Sequence, residues 1–511
     1  MKRVFIFALS CYVSGLYAQT DSVQKLDLSE IIVSATRANH RTPTTFTNLK
    51  VSDINRKMIS PEIPAAISFS PSVVITSENG AAIGNQTIRV RGSDATRINV
   101  TFDGVPLNDG ESQAVFWANM PDLTSSLQTM QIQRGVGTST NGTAAFGATL
   151  NLQATEPEIT PYSQISAAYG SFNTYKLNVA AGSGRSKKGW NADLRYSLGH
   201  TDGYVENGSS EQQSLFFTGG YSDSRKTIKM NIFHGNQQTG ISWEGVPEEK
   251  MSENRRYNPS GLYTDSRGNY LRYENETDNY LQTHVHLHFI DQLSEFLKLN
   301  STFYYIRGKG YYEQYKENAK LSNYGLPAYN DGLATITATD LIRQKWLDND
   351  LFGTIVTTTY STEKTRANIG VSGNIFYNNH YGKIIWAETQ QAVPENCEWY
   401  RNTSKKTDLS AFLKITQQVG NRWYAFADLQ WRNIRHDMNG LDDDLADIVQ
   451  YHNYNFFNPK AGITFAINPR ERAYASFAVG RREPTLRMRS NMALNQCLNP
   501  KHSTMPKQDT N

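Results

Sequence analysis

The 511-residue sequence lacks long apolar runs, has few cysteines and carries almost balanced charge. No stretch approaches the roughly 20 consecutive apolar residues that a membrane-spanning helix needs, which excludes a helical membrane protein. Charged residues make up 19% and the formal net charge is +3, a balance that does not suggest a nucleic-acid-binding protein or an acidic disordered chain. The three cysteines, Cys11, Cys397 and Cys497, lack metal-ligand spacing, and pairing of Cys397 with Cys497 stays open.

Motifs that carry catalysis are also missing. The sequence contains no nucleophile-elbow pattern. The glycine-rich run from Gly135 to Gly147 lacks the Lys-Ser/Thr ending and the following helix of a phosphate-binding loop. We therefore predict a protein that is not an enzyme and that has no cofactor and no assigned metal site.

Aromatic residues, in contrast, are plentiful. The chain has 28 Tyr, 22 Phe and 8 Trp, while hydrophobic residues total only 38% and the mean hydropathy is −0.55. In a transmembrane β-barrel only every second side chain meets lipid, so mean hydropathy stays low while aromatic residues are frequent. The composition is typical of that class.

The N-terminus has the pattern of a secretory signal peptide. Lys2 and Arg3 precede a short apolar core, and cleavage after Ala18 would leave Gln19 as the first mature residue. We predict that residues 1–18 are removed on export, and Leu16 at the −3 position, which is larger than the usual small residue, leaves the exact bond open.

Four further zones follow the leader. Residues 19–50 are polar except for one β-branched run, Ile31-Ile32-Val33, which suits either strand addition to a partner or the first strand of the next domain. Residues 51–157 mix strand patterns with glycine-rich turns and predict a compact α+β domain. Residues 158–485 show repeated amphipathic strands, and residues 486–511 form a tail without alternation.

The strand-rich zone predicts a membrane barrel rather than a soluble sandwich. About thirteen strands are readable, several as long as a tilted membrane strand. Short turns such as 183–186 and 420–422 alternate with long polar connections such as 245–280 and 312–338. A barrel with a periplasmic end and an extracellular end has that asymmetry.

Taken in order, the motifs resemble those of TonB-dependent outer-membrane receptors. One segment resembles the family's TonB box: Glu30, Ile31, Ile32, Val33, Ser34 and Ala35. Other residues resemble the family's plug motifs: Arg89, Arg91, Gly92, Asp103, Gly104, Arg134 and Gly135. The resemblance covers residues 28 to about 481.

The resemblance implies a plug domain inside a membrane all-β barrel of about 22 strands. It also implies a location in the outer membrane and contact with outer-membrane lipid. The box is then the segment that engages the TonB energy-transducing complex, and a surface lipoprotein is a further candidate partner. The expected function is active uptake of a scarce nutrient.

The cargo is less well specified than the family. An iron complex, either a ferric siderophore or haem, is the leading expectation, because it is the commonest cargo in the family. Alternatives are cobalamin, another metal chelate or an oligosaccharide, and a non-transporting adhesin is the alternative class. Phe116 and Trp117 lie in a predicted apical plug loop and would either stack on a flat cargo or pack against the barrel.

Three histidines alternate along one strand. His284, His286 and His288 share one face, while Val285, Leu287 and Phe289 share the other. With the apolar face towards lipid, the imidazoles point inwards, where they would contribute to cargo or metal binding or simply fill a polar interior.

The thirteen readable strands fall short of the number that the resemblance implies. The pattern stops near Thr485, in a stretch that resembles the opening of an extracellular loop. A C-terminally truncated, incomplete barrel and an unusually small barrel are both compatible with this count, and truncation is our expectation.

Overall fold

The structure is a computed structural model that describes residues 36–55, 62–142, 146–265 and 267–485. The predicted signal peptide, the predicted TonB box (residues 30–35) and the tail from residue 486 lie outside the described residues. Within the described ranges, no helix is long and apolar enough to span a membrane.

The N-terminal part is an α+β domain built on a five-stranded sheet. Its two short helices are Val51–Asn55 and Ile63–Ile67. Its strands are β1 (Thr45–Lys50), β2 (Val73–Ser77), β3 (Gln86–Val90), β4 (Ile98–Phe102), β5 (Val105–Pro106), β6 (Leu127–Arg134) and β7 (Ala148–Ala154). The sheet order is β1-β6-β7-β4-β5, and β2 and β3 form a separate hairpin. Among the pairs formed by described residues of this domain, the β4–β7 pair is parallel and the others are antiparallel.

Local sequence explains the turn that ends β4. Phe102 pairs with Val105, so Asp103 and Gly104 are the two central residues of a hairpin, with φ of 48° and 84°. A two-residue turn with both φ values positive favours Asp-Gly. The same pattern recurs at Arg91 and Gly92, with φ of 51° and 77°. The sequence therefore specifies both turns locally.

The core of this domain is completed by the larger sheet. Inward residues of β4, β6 and β7, such as Val100, Ile132 and Leu150, are almost fully buried in one cluster. Phe216 and Phe233, from the larger sheet, belong to the same cluster. Because apolar burial drives packing, the two parts of the chain share a hydrophobic core.

The larger sheet is an antiparallel meander. Its strands are β8 (Tyr162–Gly170), β9 (Thr174–Gly182), β10 (Trp190–Thr201), β11 (Ser210–Ser222), β12 (Lys226–Gly240), β15 (Thr277–Gln292), β16 (Leu297–Lys320), β19 (Ala338–Ser361), β20 (Thr365–Ala387), β21 (Cys397–Gln418), β22 (Trp423–Gly440), β23 (Gln450–Phe457), β24 (Lys460–Ala466) and β25 (Arg472–Ala478). Two hairpins stand in its loops: β13 (Leu262–Thr264) with β14 (Tyr270–Arg272), and β17 (Tyr329–Asn330) with β18 (Thr335–Ile336).

The predicted fold class, a strand-rich barrel wall with an N-terminal α+β plug, is confirmed. The path from β8 to β25 passes through thirteen strands, with β23 as a fourteenth beside β22. Both β23 and β24 pair with β22, on either side of Asn458 and Pro459. Proline has no N–H to donate to the ladder, so the pairing along β22 is interrupted between Phe457 and Lys460.

The connections differ between the two ends of the sheet. One end carries the longer loops 202–209, 241–276, 321–337, 388–396 and 441–449, and the other carries the turns 183–189, 223–225, 293–296, 362–364, 419–422 and 467–471. Several strands extend into the regions predicted as loops, since β16 continues to Lys320 and β19 begins at Ala338. The side chains of these extensions are polar because the extensions reach beyond the apolar band of a membrane barrel, within which every second side chain faces lipid.

The two ends of the strand path remain apart among the described residues. β8 pairs with β9, and β25 pairs with β24. In residues 36–485, with the gaps given above, no ladder joins β8 to β25.

The plug sheet begins earlier than the sequence interpretation placed the domain. β1 pairs with β6 over six residues, from Thr45 opposite Arg134 to Lys50 opposite Thr129. The residues before β1 are held at the short-turn end, where the Arg472 guanidinium donates to the carbonyl oxygens of Asn39, Thr42 and Thr44 at 2.8–3.0 Å. The N-terminal segment therefore meets the barrel wall at that end.

Candidate functional site

A cavity of about 550 Å³ lies between the apical face of the plug and the long-loop end of the barrel wall. Plug residues in its lining include Asn108, Asp109, Glu111, Phe116, Asn119 and Met120, and barrel residues include Trp243, Asp278, Tyr280, Gln282, Tyr312, Asn349, Phe376, Asn378 and His380. The volume and the mixture of aromatic and polar groups are those of a small-molecule site. Because both parts of the chain line it, a bound molecule would contact plug and barrel together.

The predicted aromatic pair is divided by the fold. Phe116 faces the cavity and is 52% exposed, whereas Trp117 is 4% exposed and belongs to the plug core. The pair is therefore divided between the cavity and the plug core, and stacking of Phe116 on a cargo stays a prediction. Trp243, 42% exposed, stands edge-on to Tyr312 with ring centres 5.5 Å apart in the same cavity.

Carboxyl groups supply the charge in the cavity. Asp109, Glu111 and Asp278 line it, and no lysine or arginine is found among the described residues of its lining. The one ionisable base there, His380, has Nε2 2.8 Å from Glu111 Oε2. The cavity therefore presents a field that is neutral to negative.

Glu111 is the main polar link between the apical loop and the barrel wall. Its side chain is buried and accepts hydrogen bonds from Asn378 at 2.7 Å and from the Ser404 hydroxyl. Burial alone would raise the pKa of Glu111, but His380 and these hydrogen bonds lower it to about 2. The carboxylate therefore stays ionised far below neutral pH and holds the loop to β20 and β21.

Buried ion pairs join the lower plug to the first barrel strands. Asp122 accepts from Arg195 at 2.8 Å, and Lys176 donates to Glu62 at 2.8 Å. These side chains are 12% exposed or less. A buried charge without its partner is strongly unfavourable, so the pairs fix the position of the plug against β9 and β10.

The segment that follows β25 enters the interior. Glu483 is 2% exposed and pairs with Lys406 at 2.6 Å and with Arg432 at 3.0 Å. Lys406 also donates to the carbonyl of Gly110 in the apical loop. Residues 479–485 therefore lie against the plug, although the sequence predicted the start of an extracellular loop there.

The three predicted histidines do point inwards, but they lie below the cavity. His284, His286 and His288 are 4%, 1% and 0% exposed. They contact the plug through Phe102, whose ring centre is 5.8 Å from that of His286. Their place is the seam between plug and wall.

The residues of the predicted plug motifs hold the plug together. Arg134 donates to the Pro71 carbonyl at 2.8 Å and to Thr47, which ties β6 to β1 and to the loop before β2. Asp103 accepts from Ala154 N and from Lys229. Gly135 N donates to the Gly147 carbonyl, while Arg89, Arg91 and Gly92 are exposed. These positions are structural and lie outside the cavity.

Sequence reasoning missed several residues that the structure brings to the cavity. Glu111 lies 267 to 293 positions from its partners Asn378, His380 and Ser404, and no local pattern signals such a contact. The alternation of β20 places Asn378 and His380 on one face, which was the only available hint.

A plug domain seated against a β-barrel wall, with a mixed cavity on its loop side, defines the class of plugged β-barrel proteins. A family model described as TonB-dependent Receptor Plug Domain matches residues 38–149. Residues 38–149 therefore form a plug domain of the TonB-dependent receptor type, and the barrel wall follows them in the chain.

Solved structures share the fold at low identity. The ferric-catecholate import receptor Fiu of E. coli K12, in its open form, is 14% identical with a TM-score of 0.63, over 88% of this chain and 71% of Fiu. The ferric citrate transporter FecA, unliganded, is 13% identical with a TM-score of 0.64, over 86% of this chain and 62% of FecA. The copper transporter OprC is 12% identical with a TM-score of 0.64, over 86% of this chain and 64% of OprC. This chain thus spans about two thirds of these proteins, and at such identities the likeness shows the fold alone.

Proposed function

We propose that this protein is an outer-membrane receptor for the active uptake of a scarce nutrient, and that the nutrient is an iron complex. The observation that supports this proposal is the position of the cavity. It lies on the long-loop side of the plug, opposite the end where the N-terminal segment meets the barrel wall. Cargo bound on one side of the plug and a pulling segment on the other are the two parts that such uptake needs.

The position of the predicted TonB box supports this coupling. Thr36 follows the box directly, and its carbonyl accepts a hydrogen bond from Gln133 of β6 at 3.1 Å. Force applied to residues 30–35 would therefore reach the plug sheet through a short path. An extended segment that pairs with a partner strand through main-chain hydrogen bonds can bear such force.

The choice of an iron complex is supported by the similarity to Fiu, a ferric-catecholate import receptor, and to FecA, a ferric citrate transporter. Within that class, the cavity favours a chelate with neutral or positive net charge. Asp109 and Asp278 have no lysine or arginine in the described lining to offset them, whereas Glu111 is paired with His380. The two aspartates therefore repel a polyanion, and such repulsion is strong where water is partly excluded.

The test is a binding screen of the purified protein with chelates that differ in charge. We expect a neutral ferric tris-hydroxamate to bind at least about tenfold more tightly than a polyanionic ferric tris-catecholate, because each unfavourable charge contact of about 1.4 kcal/mol changes affinity tenfold. Haem, cobalamin, other metal chelates and an oligosaccharide complete the screen. Tighter binding of the catecholate would contradict the charge argument, and tight binding of a metal-free glycan alone would contradict the iron assignment.

Replacing Phe116 with alanine is expected to weaken binding of the best ligand by about three- to tenfold, since aromatic contacts contribute roughly 0.5–1.5 kcal/mol beyond buried area. Phe116 is half exposed in the cavity, so its truncation leaves the plug core intact. Isothermal titration measures the change. Phe69→Ala is the matched control, because Phe69 is 79% exposed and lies outside the cavity lining. Equal loss in both variants would remove Phe116 from the binding site.

An adhesin that binds without transport is the second candidate. Accumulation of labelled ligand inside cells separates it from a receptor that imports, because an adhesin retains the ligand at the surface.

A further inference from the structure

One corner of the cavity brings a carboxyl group together with aromatic rings. Asp278 of β15 lies directly opposite Tyr312 of β16 in the sheet register, and both residues line the cavity. Residues directly opposite each other in an antiparallel pair point to the same face of the sheet, with Cβ atoms about 4.5–5.5 Å apart. The carboxyl group and the phenol ring therefore lie side by side on the inner face of the wall.

Two further aromatic side chains border this carboxyl group. Trp243, in the loop that follows β12, is exposed and stands at 88° to Tyr312, with ring centres 5.5 Å apart. Tyr280 lies two positions from Asp278 on the same face of β15 and also lines the cavity. We call this part of the cavity the aromatic corner, and its members are Trp243, Asp278, Tyr280 and Tyr312.

The Asp278 carboxylate has no cationic partner in the part of the chain that the structure describes. The charged group that acts on it is a second carboxyl group, that of Glu78, and its hydrogen-bonding neighbours are the side-chain amides of Asn85 and Gln237. A partly buried carboxylate without a counter-ion is unfavourable, and a second negative charge adds to the cost. A positive group on a bound ligand would offset both.

The nearest lysine to the corner is already engaged. Lys345 has Nζ 5.8 Å from the ring centre of Tyr312, but it is paired with Asp443 and does not line the cavity. Tyr312 therefore has a cation at its ring, whereas the ring of Trp243 has none among the described residues. The face of Trp243 remains available to a ligand.

We propose that the aromatic corner binds a protonated amine of the cargo, with the ammonium group against the ring of Trp243 and its charge offset by Asp278. This inference rests on the proposed function and specifies the cargo further, as an iron chelate with a pendant ammonium group. Tryptophan attracts a cation to its face more strongly than tyrosine or phenylalanine does. A carboxylate accepts a short, charge-assisted hydrogen bond from the same ammonium group.

The test compares two ferric tris-hydroxamates that differ at one group. The first is a linear chelate with a terminal primary ammonium, and the second is the same chelate with that amine acetylated, which removes the charge. Isothermal titration measures both affinities with the detergent-solubilised 511-residue chain. We expect the ammonium form to bind about tenfold more tightly, because only this form gains the cation–π contact and the charge-assisted hydrogen bond.

Asp278→Asn tests the counter-ion, since asparagine keeps the shape of the side chain and removes its charge. The affinity ratio of the two chelates should fall to about threefold or less, the share left to the aromatic ring, while the acetylated form binds as before. Asp331→Asn is the matched control. Asp331 is exposed in the turn between β17 and β18, outside the cavity lining, so the ratio should stay near tenfold.

Trp243→Leu tests the ring and should weaken binding of the ammonium form more than binding of the acetylated form. Trp243→Phe should restore part of the difference, because phenylalanine keeps an aromatic face. Trp423→Leu is the matched control, since Trp423 is 46% exposed at the start of β22, at the short-turn end of the sheet and outside the cavity lining. Both affinities should be unchanged in that control.

The outcomes separate this inference from the proposed function. Equal affinity of the two chelates for the unaltered chain would overturn the inference and leave the iron assignment standing. An unchanged ratio in Asp278→Asn, or an equal loss for both chelates in Trp243→Leu, would also overturn it, because the corner would then contribute packing without recognising charge. Absence of binding by every ferric chelate would overturn the iron assignment and this inference together.

Discussion

Asp103→Ala is expected to destabilise the seated plug by about 3–5 kcal/mol, the range for a buried ion pair that loses one partner. The Asp103 side chain is 3% exposed, and its carboxylate accepts from Lys229 at 3.2 Å, from Asn231 at 3.0 Å and from Ala154 N at 3.0 Å. Its removal leaves the Lys229 ammonium buried without a counter-ion. Alanine also tolerates the φ of 48° less well than aspartate does.

The Asp103 carboxyl group stays ionised at neutral pH, so it is the charged carboxylate that pairs with Lys229. Burial by itself would raise the pKa of Asp103, but Lys229 and the hydrogen bond from Ala154 N hold it below its ordinary value. Because the folded pKa is depressed, the stabilisation is present above the ordinary aspartate pKa and is lost as pH falls below it. The effect of Asp103→Ala should therefore be full at neutral pH.

Denaturant unfolding and hydrogen exchange at β4 and β7 measure this effect. Asp103→Asn is the matched control for backbone conformation, because asparagine also adopts positive φ and can still accept from Ala154 N. Asp103→Asn combined with Lys229→Met should recover part of the loss, since no charge then remains unpaired. A loss below about 1 kcal/mol in Asp103→Ala, the size of an exposed ion pair, would show that this pair does not hold the plug.

Ile32→Pro is expected to reduce uptake to background while cargo binding stays unchanged. Proline removes one N–H from the predicted strand pairing and fixes φ near −65°. The cavity lies on the opposite side of the plug from residues 39–44, so we expect ligand affinity to be independent of residue 32. Time courses of labelled cargo in cells that carry the TonB partner, together with equilibrium binding to the same cells, separate the two steps.

The matched control for this variant is Gln24→Pro, which places the same residue in the same polar segment but outside the predicted box. Its uptake should equal that of the unaltered protein. Full uptake by Ile32→Pro would show that the coupling segment lies elsewhere, and a parallel loss of binding would show that the substitution damages more than coupling.

The strand-rich wall and the plug were predictable from the sequence because their signals are local. Period-two alternation located the thirteen strand positions, and the positive-φ turn at Asp103-Gly104 follows from two adjacent residues. The inward direction of His284, His286 and His288 follows from the same alternation. Each of these features depends on residues within a few positions of one another.

The site was decided by the tertiary structure alone. The adjacent residues Phe116 and Trp117 lie in the candidate cavity and in the plug core, respectively, because the apical loop turns between them. Glu111 binds partners that are more than 260 positions away in the sequence. Glu483 lies in the interior, where it pairs with Lys406 and Arg432. Alternation specifies which face a side chain occupies, but the residue it meets there depends on how the wall curves around the plug, which no local pattern encodes.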